Sequence, residues 1–334
     1  MNILLGGYFD KNFGDDAMHQ MVVKNFPMHN FYVECNQREM LAHLEKYENV
    51  HINTQGCEID MFLNVIGTGF LYNGKRSKTA KILNMLTSKT KKYPKTALVN
   101  CSLENFDGKL SQWLTKYDLN KYDFITCRDN KTYAYLTKNI KNARIEMHND
   151  IVFAQNFTSS YDNGEFLGIA PIRRLYSDTN FEYYREMAKF ADNYIEKYNK
   201  RVRLFAFDSG IENDISAVLS VKSMMRYGSD AELIIYNSDT EEFAKKISEC
   251  EVFAGSRFHS IIIALMFGIN TVAVYDNEKI KRLCNDFNIT GIKKSEFTHH
   301  ELMKCIENSS KISNLHYDAI EHINSLSRFM MEQV

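Results

Sequence analysis

The stretch EVFAGSRFHSIIIALMFG, residues 251–268, sets Arg257 two places before His259 at the mouth of an almost wholly apolar run. A guanidinium presents a planar fork of donors that fits a carboxylate or a phosphate. An imidazole titrates near neutrality, so it can hold or deliver a proton. The pair therefore suggests anion binding coupled to proton transfer. EVFA reads as a strand that ends at Gly255, after which Ser256 is placed to cap a helix. From Phe258 that helix is apolar on every face, the mark of a sandwiched helix. Its dipole is expected to lower the pKa of His259 in the first turn, and a bound dianion to raise it again. Residues two apart on a helix diverge by about 200°, so both groups face one ligand only if Arg257 is still in the loop. A surface arginine and a satisfied core histidine would show the same spacing.

Three further stretches carry candidate groups. GGYFDKNFGDDAM (6–18) joins a strand to a helix, with Gly7 suited to a close backbone approach. Its spacing is not G-x-G-x-x-G, and Asp15 and Asp16 fill the positive end of the helix. Asn12, Asp15 and Asp16 suit sugar hydroxyls better than phosphate; a plain turn with a capped helix is the simpler alternative. IGTGFL (66–71) ends a strand with Gly67 and Gly69, either a second close-approach loop or a tight connection. GIAPIRR (168–174) ends another strand with Arg173 and Arg174, of which one is expected to point inward. In FAFDSGIEND (205–214), Asp208 stands at a strand end and Asp214 at a helix start, where it has an ordinary reading as a cap.

The remaining histidines say less. His148, beside Asp150, suggests a buried polar pair; His299 and His300 precede a helix; His316 and His322 lack metal-pair spacing. The sequence offers no metal-binding pattern, P-loop or serine elbow.

These groups need a scaffold, and the chain describes one. Short apolar runs alternate with helical stretches: NILL (2–5), NFYVEC (30–35), MFLNVIG (61–67), TALVNC (96–101) and YDFITC (122–127) read as strands. DDAMHQMVVKNF (15–26), KTAKILNMLTSK (78–89) and NKTYAYLTKN (130–139) read as helices. Continuous apolar strands belong to parallel sheets covered on both faces. FTSSYDNGEF (157–166) interrupts the alternation as a linker, and beyond it the same pattern restarts. The expectation is α/β, with two doubly wound Rossmann-like domains, 1–158 and 159–334. A last helix over 312–330 has one apolar stripe; it either completes the second core or crosses back to the first domain.

Lys+Arg total 41 and Asp+Glu 42, so there is no basic field to suggest nucleic acid. Seven scattered cysteines without C-x-x-C point to reduced thiols and a cytoplasmic setting. No run reaches the roughly 18 residues of a membrane span, which leaves peripheral contact as the only membrane role expected.

In order along the chain, GGYFDKNFGDDAM, FLNVIGTGFL, FITCRDN, NDIVFA and GSRFHSIIIALMFGINTVAVYDNEKI resemble the motifs of the polysaccharide pyruvyl transferase family. The resemblance spans nearly the whole chain. It implies two Rossmann-like domains in a GT-B-like arrangement with an interdomain cleft. It also implies phosphoenolpyruvate as donor co-substrate, no further cofactor, and a sugar diol as acceptor, free or on a lipid-linked oligosaccharide. By this likeness Arg257, His259 and one of Arg173 and Arg174 meet the donor, and Ser256, in the same loop, is read as a further donor contact. Gly7, Asn12, Asp15, Asp16 and Gly69 would lie on the acceptor side, with Asp208, Asp214 and Lys279 in support. Two departures fall in the first half: Gly67-Thr68-Gly69 stands where three glycines are usual, and LVNCSLENFDG lacks a glycine-rich turn. The expected reaction is ketal formation with release of phosphate, His259 being the acid. A nucleotide-sugar glycosyltransferase and a non-catalytic glycan-binding relative are the alternatives.

Overall fold

The computed structural model describes residues 1–54, 56–69, 93–104, 109–159, 164–173, 180–309 and 317–332. The helix expected at 78–89, the centre of the expected linker, Arg174 and His316 lie outside these residues. The chain forms two compact units. One holds Met1–Phe9, Ala17–Gln155 and Tyr317–Val334; the other holds Asp10–Asp16 and Asn156–His316. A single cut near residue 158 therefore does not describe the division. Residues 10–16 group with the second unit and the C-terminal segment with the first.

The first unit is built on parallel strands β1 (Asn2–Gly6), β2 (Asn30–Val33), β3 (Val50–Ile52), β4 (Met61–Val65), β5 (Thr68–Gly69), β6 (Lys95–Leu103), β7 (Phe124–Cys127) and β8 (Arg144–Met147). Their order is β3-β2-β1-β4-β6-β7-β8, with β5 against β6. Helices α1 (Phe13–Asn25), α2 (Lys109–Leu119) and α3 (Asn130–Asn139) alternate with them. All nine residues of β6 are buried, as its apolar run requires. The short edge strands β3 and β8 carry no such run, so their sequence does not announce them. Asp129 caps α3, accepting from Thr132 N at 2.9 Å.

The second unit repeats the plan with β9 (Phe166–Ala170), β10 (Arg201–Ala206), β11 (Glu232–Ile235), β12 (Cys250–Gly255), β13 (Asn270–Tyr275) and β14 (Thr290–Lys293). All pair in parallel, in the order β11-β10-β9-β12-β13-β14. Helices α4 (Asn180–Tyr198), α5 (Ile215–Met224), α6 (Thr240–Ser248), α7 (Phe258–Met266), α8 (Glu278–Asp286) and α9 (His299–Asn308) connect them. The strand order reverses direction between β9 and β12. In a doubly wound sheet that switch point opens a crevice at the carboxyl ends of the strands. Ile261–Leu265 of α7 are buried, which is the sandwiched environment its composition calls for.

The last helix, α10 (Glu321–Met331), packs on β6 and β7 of the first unit. Of the two roles expected for this segment, completing the second core is therefore not the one observed. Ile323, Leu326, Phe329 and Met330 are its buried apolar face. His322 within that face bonds Thr126 Oγ1 at 2.7 Å and Asn149 O at 2.9 Å, and burial pushes its pKa down to about 4. His148 meets Glu146 and Asp318, not Asp150 as the sequence suggested; Arg128 is the partner of Asp150. Among the described residues no helix is long and apolar enough to cross a membrane.

Lys95, buried at the start of β6, donates to the carbonyls of Phe329 at 3.2 Å, Met330 at 3.0 Å and Glu332. The last carbonyls of a helix lack intrahelical donors and carry its negative end, so an ammonium there fastens α10 to the sheet. Lys95→Met should lower stability by about 1–3 kcal/mol. Urea unfolding measures this, and an unchanged midpoint would show that the lysine does not hold the helix.

Candidate functional site

In the second unit the loops after β9 and β12 flank the switch point. The ladder continues past β12, with Ser256 N donating to Ala170 O at 3.0 Å. Ser256 Oγ lies 2.7 Å from Tyr183 Oη, and Tyr183 Oη also accepts from Ile172 N at 3.4 Å. Ser256 is thus buried and ties the two loops together. It does not cap α7, whose N-cap is Arg257.

Arg257 has an extended backbone, φ −97° and ψ 139°. It therefore stands in the loop, which is the geometric condition for sharing a ligand with His259. Its guanidinium is not open-handed, however. Nε and Nη2 donate to Asp214 Oδ2 and Oδ1 at 2.8 and 2.7 Å, and Nη1 donates to Glu212. Burial alone would lower the pKa of Arg257; the charge of Asp214 and its hydrogen bonds hold it above the ordinary value, so it stays a cation. Asp214 is fully buried and also accepts from the backbone N–H of Arg173 at 3.3 Å and of Asp208 at 3.2 Å. Burial pushes its carboxyl up, and the guanidinium pushes back. Asp214 is the N-cap residue of α5 by position but makes no side-chain cap bond. Its work is to aim Arg257, a different role from the one its sequence context suggested.

Asp208, fully buried, organises the neighbouring loop. Its Oδ1 accepts from Gly210 N and Asn213 N, both at 3.0 Å, and its Oδ2 from Asn12 Nδ2 at 3.1 Å. Asn12 is thereby bound to Asp208, and its Oδ1 accepts from Gly14 N at 3.0 Å. The segment 10–16 is held further by Phe13 N to Phe207 O at 3.0 Å and Ser209 N to Lys11 O at 3.2 Å. Phe13 packs between Phe207, Tyr236 and Phe243, with centroids 5.3–5.5 Å away.

That seating explains a glycine. A Cβ on Gly14 would stand 1.7 Å from His259 Nδ1, so the half-buried imidazole rests directly on the glycine backbone. Phe258 sets its ring edge-on to His259, and Lys279 Nζ lies 4.3 Å from the centroid of the Phe258 ring.

One acidic expectation changes. Asp16 is fully buried and accepts from Tyr236 Oη at 2.6 Å. Burial also drives its pKa well up, so it is not a surface carboxylate for sugar hydroxyls. Asp15 is half-buried in the same turn. Asp10, which sequence reasoning passed over, carries a buried Oδ1 without a hydrogen-bond partner among the described residues. Burial first, then the charges of Asp208 and Glu212, push its carboxyl up to about 6, against the pull of Arg257. Glu212 was passed over as well. Both lie inside stretches that the sequence singles out, GGYFDKNFGDDAM and FAFDSGIEND, but only the folded loops bring them to Arg257.

Arg173 contributes its backbone N–H to Asp214 and is half-buried. Gly7 and Gly69 belong to the first unit. A Cβ on Gly7 would stand 2.0 Å from His19 Nε2, and one on Gly69 2.2 Å from Ile66 Cδ1, so both positions answer to internal packing. In the same unit Arg128 and Asp150 form an ion pair with both side chains 2% exposed, and Asn100 Nδ2 donates to Asp150 at 3.2 Å.

A family model described as polysaccharide pyruvyl transferase matches residues 42–278. None of the curated protein sequences matches the chain. Among solved structures it is similar to a putative UDP-N-acetylglucosamine 2-epimerase from Listeria monocytogenes, at 9% identity and TM-score 0.62, covering 98% of this chain and 95% of that one. It is also similar to the UDP-GlcNAc 2-epimerase of Methanocaldococcus jannaschii, at 10% identity and TM-score 0.62, covering 98% and 99%. The S. aureus MnaA structure with UDP aligns at 13% identity and TM-score 0.60, covering 98% and 96%. Identities this low speak for fold alone: α/β, two Rossmann-like units, GT-B-like.

Asp10 gives a test of the site's electrostatics. Its folded pKa lies above the unfolded 3.8, so the folded protein binds this proton more tightly. The stability it adds is full below about pH 4 and is lost as pH rises through about 6. Asp10→Asn should therefore raise the melting temperature at pH 8 and leave it unchanged at pH 4. Thermal unfolding across that range checks the sign; a loss at pH 8 would contradict it.

Proposed function

The chain belongs to the polysaccharide pyruvyl transferase family, and from that premise we propose that it transfers pyruvate from phosphoenolpyruvate to a sugar diol of a glycan precursor, closing a ketal and releasing phosphate. The observation that carries the reading is Arg257. A permanently charged guanidinium stands in the loop at the switch point, aimed by a buried carboxylate, two residues from a histidine seated on Gly14.

The chemistry asks for such groups. Protonating the methylene carbon of the enol phosphate places positive charge on C2. One sugar hydroxyl adds there and gives up its proton. The C2–O bond to phosphate breaks, phosphate leaves with the electron pair, and the second hydroxyl closes the ring. One proton has gone to the methyl group and one leaves with phosphate as the hydrogen phosphate dianion, so the balance closes without a redox partner. In this proposal Arg257 holds the donor's negative charge and fixes its orientation. His259 delivers the proton to the methylene carbon. Asp16 is sealed against Tyr236, so Asp10 is the carboxylate suited to take the hydroxyl proton, its pKa of about 6 lying near working pH. The acceptor is a glycan precursor, free or lipid-linked, and the setting in this reading is the cytoplasm.

The nucleotide-sugar reading gains nothing from the solved structures, which share only the fold. His259→Ala should abolish phosphate release from phosphoenolpyruvate in the presence of glycan acceptors, while donor affinity stays within about tenfold of the wild type. Malachite-green phosphate detection and calorimetry measure the two quantities. Undiminished release would remove His259 as the acid.

A further inference from the structure

The guanidinium of Arg257 has two unequal partners. Asp214 is fully buried and fixed by two backbone N–H groups. Glu212 is 49% exposed and holds only Nη1. Removing the inner partner would strand a buried charge, a large penalty. Releasing the outer one returns a carboxylate to water, a small one. The loop that carries Glu212 keeps its backbone in place, because Asp208 Oδ1 binds the N–H groups of Gly210 and Asn213 on either side. Gly210 is pressed against Asp10 O so closely that a Cβ would stand 1.7 Å away. Glu212 can therefore swing its side chain away without rearranging the loop.

We propose that Glu212 is a tethered carboxylate seated where an incoming anion would meet Arg257 Nη1, so that it sets the affinity of the site and its preference for multiply charged anions. The proposal rests on the reading of Arg257 as the donor-binding cation. A monoanionic carboxylate that displaces Glu212 exchanges like for like and gains little. An enol phosphate brings more charge and more acceptor oxygens, and displaces Glu212 with a net gain. The tether thus keeps simple carboxylates out of a site built around a bare cation, a selection achieved by raising the cost for the wrong ligand.

The test titrates phosphoenolpyruvate, inorganic phosphate and pyruvate into wild type and Glu212→Gln by calorimetry. In the variant, phosphoenolpyruvate should bind about three- to tenfold more tightly and pyruvate should gain by a larger factor. Equal or weaker binding by Glu212→Gln overturns the proposal. So does a uniform gain for all three anions, since that is a long-range charge effect. If neither protein binds any of the three, the donor-site reading of Arg257 fails and takes this proposal with it. If the wild type binds phosphoenolpyruvate, Arg257→Lys loses it and Glu212→Gln does not tighten it, only the tether is refuted.

Discussion

The buried ion pair between Arg257 and Asp214 fixes the second unit's crevice. A guanidinium with a side chain only 12% exposed needs a full counter-charge, and Asp214 supplies it with both oxygens. Asp214 in turn receives the backbone N–H groups that follow β9 and β10, so three loops converge on one carboxylate. A pair of this kind contributes little net stability once desolvation is counted, yet breaking it is costly. It sets direction: two edges of the fork are occupied inward, and the third reaches the outer side, where Glu212 lies.

The segment 10–16 completes that environment within the second unit. Asn12 and Asp208 bridge backbone and side chain, Phe13 fills an aromatic pocket, and Gly14 leaves room for His259. Gly14, Asn12 and Asp16 of GGYFDKNFGDDAM thus work inward. Asn12 and Asp16 are partners of Asp208 and Tyr236, and Asp10 is the carboxylate of this segment poised near neutrality.

Much of the scaffold was legible because its signals are local. Apolar runs such as TALVNC and MFLNVIG read as covered parallel strands, and the all-apolar α7 reads as a sandwiched helix. The placing of Arg257 at a strand end follows from the same pattern. Its partners do not. Glu212 and Asp214 lie 45 and 43 residues away, Tyr236 lies 220 residues from Asp16, and Lys95 lies 234 residues from Phe329. Pairings across such distances depend on which loops the sheet order brings together, and no spacing rule reports them. Asp214 illustrates the limit: at a helix start a capping role is the local inference, and a distant arginine overrides it. The short edge strands β3 and β8 were hidden for a related reason, since an edge strand needs no long apolar run.

The account stands on Asp214 as the group that aims a cation at the donor. Calorimetric affinity for phosphoenolpyruvate in Asp214→Asn, with circular dichroism to verify folding, tests this directly. Removing a negative charge beside an anion site would by simple charge balance tighten binding. The account predicts the reverse, a loss of at least about tenfold, because the guanidinium loses its aim. Binding that is tighter than in the wild type would contradict it.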